Sequence, residues 1–183
     1  YTKVHRSEVK RTGGKLIGTR WIDVNKADEK CPDYRSRLVG KEFKRGTDNA
    51  LYAATPPLEA KKTLFALAVM YGVGCELRKE KEGMKLDFID IKRAFFHALA
   101  LQAVFVQLPE EDYEEGMCGK LDKSMYGTRD ASQNWEEEYS ETLKEIGFRR
   151  GIASPCVFRH VKRNLRLVVH GDDFTILGYV NDL

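Results

Sequence analysis

No apolar run in this sequence is long enough to cross a bilayer as a helix. The longest uncharged apolar stretch, Leu64 to Cys75, has 12 residues and two glycines, whereas a spanning helix needs ~20. Cysteine is sparse, with four among 183 residues: Cys31, Cys75, Cys118 and Cys156. They lie far apart and form no C-x-x-C pair, which argues against a structural zinc site. A disulfide scaffold would need denser cysteine and a secretory signal. All four therefore read as reduced, mostly buried small hydrophobes. Repeats and low-complexity tracts are missing too. Neither charge sign dominates, since 31 Lys and Arg face 28 Asp and Glu for a net +3. That total does not diagnose a nucleic-acid binder. The chain opens Tyr1-Thr2-Lys3 without an initiator Met or an apolar signal core, and reads as a fragment of a longer open reading frame.

Hydrophobic residues make up 42% of the chain. That is enough to bury a core, so disorder is not expected. Charge is unevenly spread. Tyr34 to Arg45 (YRSRLVGKEFKR) is strongly basic and Pro109 to Glu115 (PEEDYEE) strongly acidic. Two solvated loops would explain both runs. A protein that contacts phosphates in one place and repels them in another would also explain them.

The expected class is α+β. Residues 1–15 are polar and basic and read as a loose lead-in, with one domain over 16–183. Ile17–Val24 and Arg37–Phe43 read as an antiparallel pair joined by the turn-rich Asn25–Asp33. Thr55-Pro56-Pro57 starts a helix with Thr55 as its cap, an apolar stripe of Leu58, Leu64, Phe65, Ala68 and Val69, and an end at Gly72 and Gly74. Lys85–Ile91 alternates polar and apolar residues, as a strand buried on one face does. A helical turn over Lys92–His97 follows, then a strand over Ala103–Leu108 stopped by Pro109. Ala131–Ile146 reads as a helix. Its stripe is Ala131, Trp135, Tyr139, Leu143 and Ile146, its capping box Asp130 with Gln133, and its terminal glycine Gly147. Trp135 and Tyr139 belong to the core. Leu165–Leu177 has the pattern of a hairpin turning at Gly171-Asp172-Asp173.

Chemistry concentrates in that turn. A plain turn accounts for an isolated Gly-Asp-Asp. Asp90 changes the balance, because it ends another apolar strand. Asp87 is three residues earlier, on the opposite face and solvated. Carboxylates converging from different strands are what a pair of hard divalent cations requires. Sequence spacing permits such convergence without requiring it.

Several blocks, taken together, resemble one family. YRSRLVGKEFKRG resembles K-A-R-L-V-A-K-G-F. DIKRAFFHA (Asp90–Ala98) resembles D-V-K-T-A-F-L-H-G. VFVQLP (Val104–Pro109) resembles V-Y-M-x-Q-P. KLDKSMYGTRDASQNW (Lys120–Trp135) resembles K-L-K-K-S-L-Y-G-L-K-Q-A-P-R-A-W, and VVHGDDFTILG (Val168–Gly178) resembles L-V-Y-V-D-D-I-L-I-x-G. In this order they are similar to the reverse transcriptase domain of copia-type (Ty/copia, pseudovirus) retrotransposon Pol polyproteins. The resemblance spans about Trp21 to Gly178. Local departures are His170 for Tyr, Gly171 for Val or Met, and Asp130 and Ser132 for Gln and Pro.

The resemblance implies a right-hand polymerase fold, here fingers and palm, with an antiparallel palm sheet packed on helices and no thumb. It implies catalysis by Asp90, Asp172 and Asp173. Asp90 and Asp172 would bind Mg2+ (Mn2+ as a substitute), joined by Asp173 in support and the Ile91 carbonyl. Phe95 matches an aromatic gate that crowds a ribose 2′-hydroxyl. Arg35, Arg37 and Lys41 match the segment that grips the triphosphate. Tyr126, Gly127, Arg129 and Asp130 fall in the loop under template and incoming nucleotide. The implied partners are an RNA template, a nucleic-acid primer, dNTPs and the remaining Pol domains (thumb, RNase H, integrase). No membrane is involved. The implied location is intracellular, in a cytoplasmic virus-like particle or the nucleus. The implied activity is RNA-directed DNA synthesis, weak or absent in an isolated fragment. A silent relic or nucleic-acid-binding module that keeps the fold stays open as the alternative. An RNA-copying RNA polymerase is disfavoured, because Ala94 and Phe95 occupy the positions where such enzymes carry a second aspartate.

Overall fold

The computed structural model describes residues 1–43, 51–74 and 83–183. Lys44, Arg45 and Cys75, which figure in the expectations above, lie outside the described residues. In chain order the elements are β1 (Thr2–His5), α1 (Ser7–Thr12), β2 (Lys15–Asn25), β3 (Tyr34–Lys41), α2 (Leu58–Val69), β4 (Lys85–Asp90), β5 (Val104–Val106), β6 (Met117–Lys120), α3 (Ala131–Glu145), β7 (Arg149–Arg150), β8 (Val157–His160), β9 (Leu165–His170) and β10 (Asp173–Gly178). Short 3-10 turns sit at Ala94–Phe96 and Glu110–Asp112. The chain divides into two compact units, Tyr1–Tyr52 with Phe95–Trp135, and Ala53–Ala94 with Glu136–Leu183.

The first unit holds a five-stranded sheet in the order β1-β6-β5-β2-β3. Among the described residues only the β2–β5 pairing in this sheet is parallel. Ile17, Val104, Val106, Leu121 and Met125 form its core, with Leu38 and Ala100 packed against it. The β2–β3 pair and its connection after Asn25 match the sequence expectation, except that the second strand runs Tyr34–Lys41 and not Arg37–Phe43. The loose lead-in does not hold. Residues 2–5 pair with β6, Thr2 opposite Lys120 and His5 opposite Met117, and a short helix follows. The acidic run is anchored rather than solvated throughout. Asp112 accepts a 2.6 Å hydrogen bond from the Tyr1 hydroxyl and pairs with Lys3 at 2.7 Å. Burial, reinforced by that hydrogen bond, pushes the Tyr1 phenol up to about 12.

The second unit is built on an antiparallel sheet in the order β4-β10-β9-β8-β7. Side chains alternate across it. One face carries Leu86, Val157, Val168 and Leu177 and packs on Leu64 of α2. The other carries Phe158 and Phe174, and Tyr139 of α3 meets both rings edge-on at 6.1 and 5.7 Å. The sheet thus lies between two helices. Glu136 ties this unit together, accepting from the Ala54 amide at 2.6 Å and pairing with Arg150.

Several local expectations need correction. Pro57, not Thr55, precedes α2, and no side chain caps it. Of the α2 stripe only Leu64 is buried, while Leu58, Phe65 and Val69 are exposed. The helix ends at Val69, before the glycines, because Met70 is already extended. The capping box of α3 is not closed. Asn134, not Gln133, binds Asp130, and Gln133 Oε1 is buried without a hydrogen-bond partner. β4 is more exposed than a half-buried strand, with Phe88 and Ile89 both on the surface. Ile146 is exposed as well, and Phe148 takes the core position. Gly147 does terminate α3, at φ +99°. Cys118 and Cys156 are buried thiols whose pKa burial raises, whereas Cys31 is exposed.

Candidate metal centre

β10 runs between β9 and β4, so it touches both candidate sources of carboxylate. In this antiparallel ladder Asp173 stands opposite Asp90 on one side and His170 on the other. Residues directly opposite share a face. Asp90, Asp173 and His170 therefore project from the same side of the sheet, at its end. Gly171 and Asp172 make the turn. Gly171 sits at φ +66°, a conformation glycine adopts without a steric cost. The Asp172 carbonyl accepts from the Ile91 amide at 3.0 Å, which fixes the turn beside the end of β4.

Asp90, Asp172 and Asp173 each offer a carboxylate oxygen, and these oxygens all lie within 4.8 Å of one another. All three residues are exposed. Three like charges this close repel unless a cation or protons intervene. A set of exposed, exclusively carboxylate oxygens fits a hard divalent cation such as Mg2+ and not a thiophilic one. Asp87 lies on the opposite face of β4 and accepts from the neighbouring Phe88 amide at 2.8 Å.

The remaining site candidates belong to the first unit. β3 alternates Arg35, Arg37, Val39 and Lys41 on one face. The ladder brings Val24, Ile22, Arg20 and Gly18 opposite them. Within the two strands this face thus carries four cations and no acid. Arg20 is the member that reading of the sequence missed. Only the strand register reveals it, since it lies outside the basic block. Arg35 pairs with Asp33 at 3.4 Å. The Arg37 guanidinium sits 5.5 Å from the centre of the Tyr126 ring, within cation–π range.

Tyr126 is the centre of an aromatic group. Phe95 packs on it at 4.7 Å with a 55° tilt, and Phe96 meets it edge-on at 5.6 Å. Phe95 is half-buried, on the 3-10 turn. Gly127 follows at φ +85°. Asp130 is buried, and its carboxylate accepts from Asn134 at 3.2 Å. That carboxylate is therefore turned into the unit and not presented at the surface. Arg129 is half-buried, and its amide donates to Glu42 at 2.9 Å.

Comparison with known proteins adds an ancestry to this geometry. The family model described as "Reverse transcriptase (RNA-dependent DNA polymerase)" matches residues 3–182. The chain is similar to the Retrovirus-related Pol polyprotein from transposon TNT 1-94 of Nicotiana tabacum, at 25% identity over 91% of this chain and 12% of that protein. The corresponding protein from transposon RE1 of Arabidopsis thaliana is 27% identical, over 89% of this chain and 11% of its own length. The chain thus spans about an eighth of the curated relatives it matches. No solved structure gives a significant match.

Proposed function

The chain belongs to the reverse transcriptase (RNA-dependent DNA polymerase) family, and from that premise we propose that it carries the nucleotidyl-transfer site of a copia-type retrotransposon Pol polyprotein. The observation that carries this reading is the meeting of Asp90 with Asp172 and Asp173 from distant points of the chain. In this reading the first unit is the fingers and the second the palm. The reaction is attack of a primer 3′-hydroxyl on the α-phosphate of a dNTP, with pyrophosphate leaving and an RNA strand as template.

Asp90 and Asp172 would hold two divalent cations, with Asp173 and the Ile91 carbonyl in support. Bound there, Mg2+ supplies the positive charge that favours an ionised 3′-hydroxyl and offsets the charge of the pyrophosphate. The chain's own residues do the rest. The turn at Gly171-Asp172 and the ladder to β4 hold the carboxylates ready, so little reorganisation accompanies the reaction. Arg20, Arg35, Arg37 and Lys41 contact phosphates through charge. Phe95, steadied by the Tyr126 ring, crowds a ribose 2′-hydroxyl and so favours deoxynucleotides. Gly127 and Arg129 shape the floor under template and nucleotide, and Asp130 braces that floor through Asn134.

The test is primer extension on an RNA template with dNTPs and Mg2+, using the protein as its gene encodes it. Asp90→Asn removes one ligand charge and keeps the shape. Synthesis should fall by on the order of 10²- to 10⁴-fold, as expected when several kcal/mol of charge stabilisation is lost. Circular dichroism should be unchanged. Unaltered synthesis by Asp90→Asn would refute the proposal. No synthesis by the parent protein, with Mn2+ still bound in a spectroscopic titration, would favour the silent-relic alternative.

A further inference from the structure

Glu42 lies just past β3, where the 126–129 loop runs along that strand's outer edge. Hydrogen bonds in both directions join the two segments. The Gly40 amide donates to the Tyr126 carbonyl at 2.7 Å and the Glu42 amide to the Gly127 carbonyl at 3.3 Å. In return the Arg129 amide donates to Glu42 Oε2 at 2.9 Å. The other carboxylate oxygen, Oε1, accepts from Lys15 Nζ at 2.7 Å. The Glu42 side chain is only 4% exposed, although Lys15 is half open to solvent.

A carboxylate taken out of water is costly unless it is paired and hydrogen-bonded. Here burial opposes ionisation, and the bonds from Lys15 and the Arg129 amide outweigh it, so the group is held below the usual glutamate range. It is therefore an ionised latch between two segments. The fit behind it is tight. A side chain on Gly127 would bring its Cβ to 2.1 Å from the Gly40 carbonyl oxygen.

We propose that Glu42 is a positioning residue for nucleotide binding: its carboxylate latches the Tyr126–Arg129 loop onto β3 and so sets the ring on which Phe95 and Arg37 pack. This rests on the polymerase reading above. Glu42 touches neither nucleotide nor metal in this scheme and acts through Tyr126. The block that this segment resembles has glycine at the position of Glu42, so the latch belongs to this chain's own sequence. Loosening it moves groups that bind the nucleotide and leaves the carboxylates of the second unit as they are. The effect therefore falls on dNTP KM and not on kcat.

Two variants decide it. Glu42→Leu fills the same buried space but accepts no hydrogen bond. Glu42→Gln keeps an acceptor for the Arg129 amide. Primer extension with Glu42→Leu should show dNTP KM raised roughly tenfold or more, as small misplacements of binding groups do, with kcat held within about twofold. Glu42→Gln should restore most of the KM. By hydrogen exchange, the Arg129 amide should open faster in Glu42→Leu, with β9 and β10 unchanged. An active Glu42→Leu enzyme with parental KM, or unchanged Arg129 exchange, overturns the latch. Failure of the parent protein to extend any primer counts instead against the polymerase reading, and the exchange measurement still reports on the latch.

Discussion

Gly127 and Glu42 act at the scale of single residues and for different physical reasons. Gly127 combines a left-handed backbone with a carbonyl oxygen where a Cβ would sit. Gly127→Ala should cost roughly 2–4 kcal/mol, read as a lower urea midpoint at unchanged slope. Glu42 is a matter of charge. Because its folded pKa lies below the ordinary value, the stability it adds is complete above the unfolded glutamate pKa of ~4.3. That contribution is lost as pH falls through the lower folded value. A carboxyl-carbon NMR titration should put its inflection below ~4.3, and Lys15→Met should move it upward. Phe95→Val should raise ribonucleotide use relative to deoxynucleotide by roughly 10- to 200-fold, the range for one pocket contact. Parallel extension reactions with each nucleotide set measure this. At this scale Asp90, Asp172 and Asp173 were legible, because acids ending apolar strands stand out. Glu42 and Lys15 were not, since two opposite charges far apart in sequence carry no pattern until the strands pair. Arg20 was hidden for the same reason.

Among the elements, β10 carries the most. It is an interior strand of its sheet, pairs with both neighbours, and buries Leu177 completely. Leu177→Ala should destabilise by about 2–5 kcal/mol. Val69→Thr, at the exposed end of α2, should stay within about 0.5 kcal/mol. Thermal denaturation of the two variants side by side makes the comparison. The β9–β10 hairpin was legible from two β-rich runs around Gly-Asp-Asp, and α3 from its clear stripe. The buried face of α2 was not. From Leu64 onward nearly every residue is apolar, so periodicity identifies a helix there without distinguishing a face. β1 was missed because its four residues (TKVH) are mostly polar. Its strand character comes from the edge of β6, a non-local partner that local propensity does not see.

At the scale of the whole molecule, a net +3 understates the charge that a polyanion meets. Four cations share one face of the β2–β3 ribbon, while part of the acidic run is paired off with Tyr1 and Lys3. If this face grips phosphates, binding to an RNA–DNA primer–template should weaken steeply with salt. Arg20→Gln should lower the slope of log affinity against log salt by roughly 0.7–0.9, measured by fluorescence anisotropy at several salt concentrations. The division into two units was not legible. Two of its three boundaries fall inside α3 and inside the 3-10 turn at Ala94–Phe96, where no glycine- or proline-rich linker marks them, and the third follows Tyr52, shortly before Pro56-Pro57. The place of β10 also has a consequence for biosynthesis. Among the described residues β4 pairs with β10 alone, yet β10 leaves the ribosome about 80 residues after it. At ~5–20 residues per second, a nascent β4 waits roughly 4 to 18 s for its partner. Until then β4 has no strand to zip onto, and a message cut short before Asp172 yields a polypeptide with one of the three carboxylates and a strand that has nothing to join.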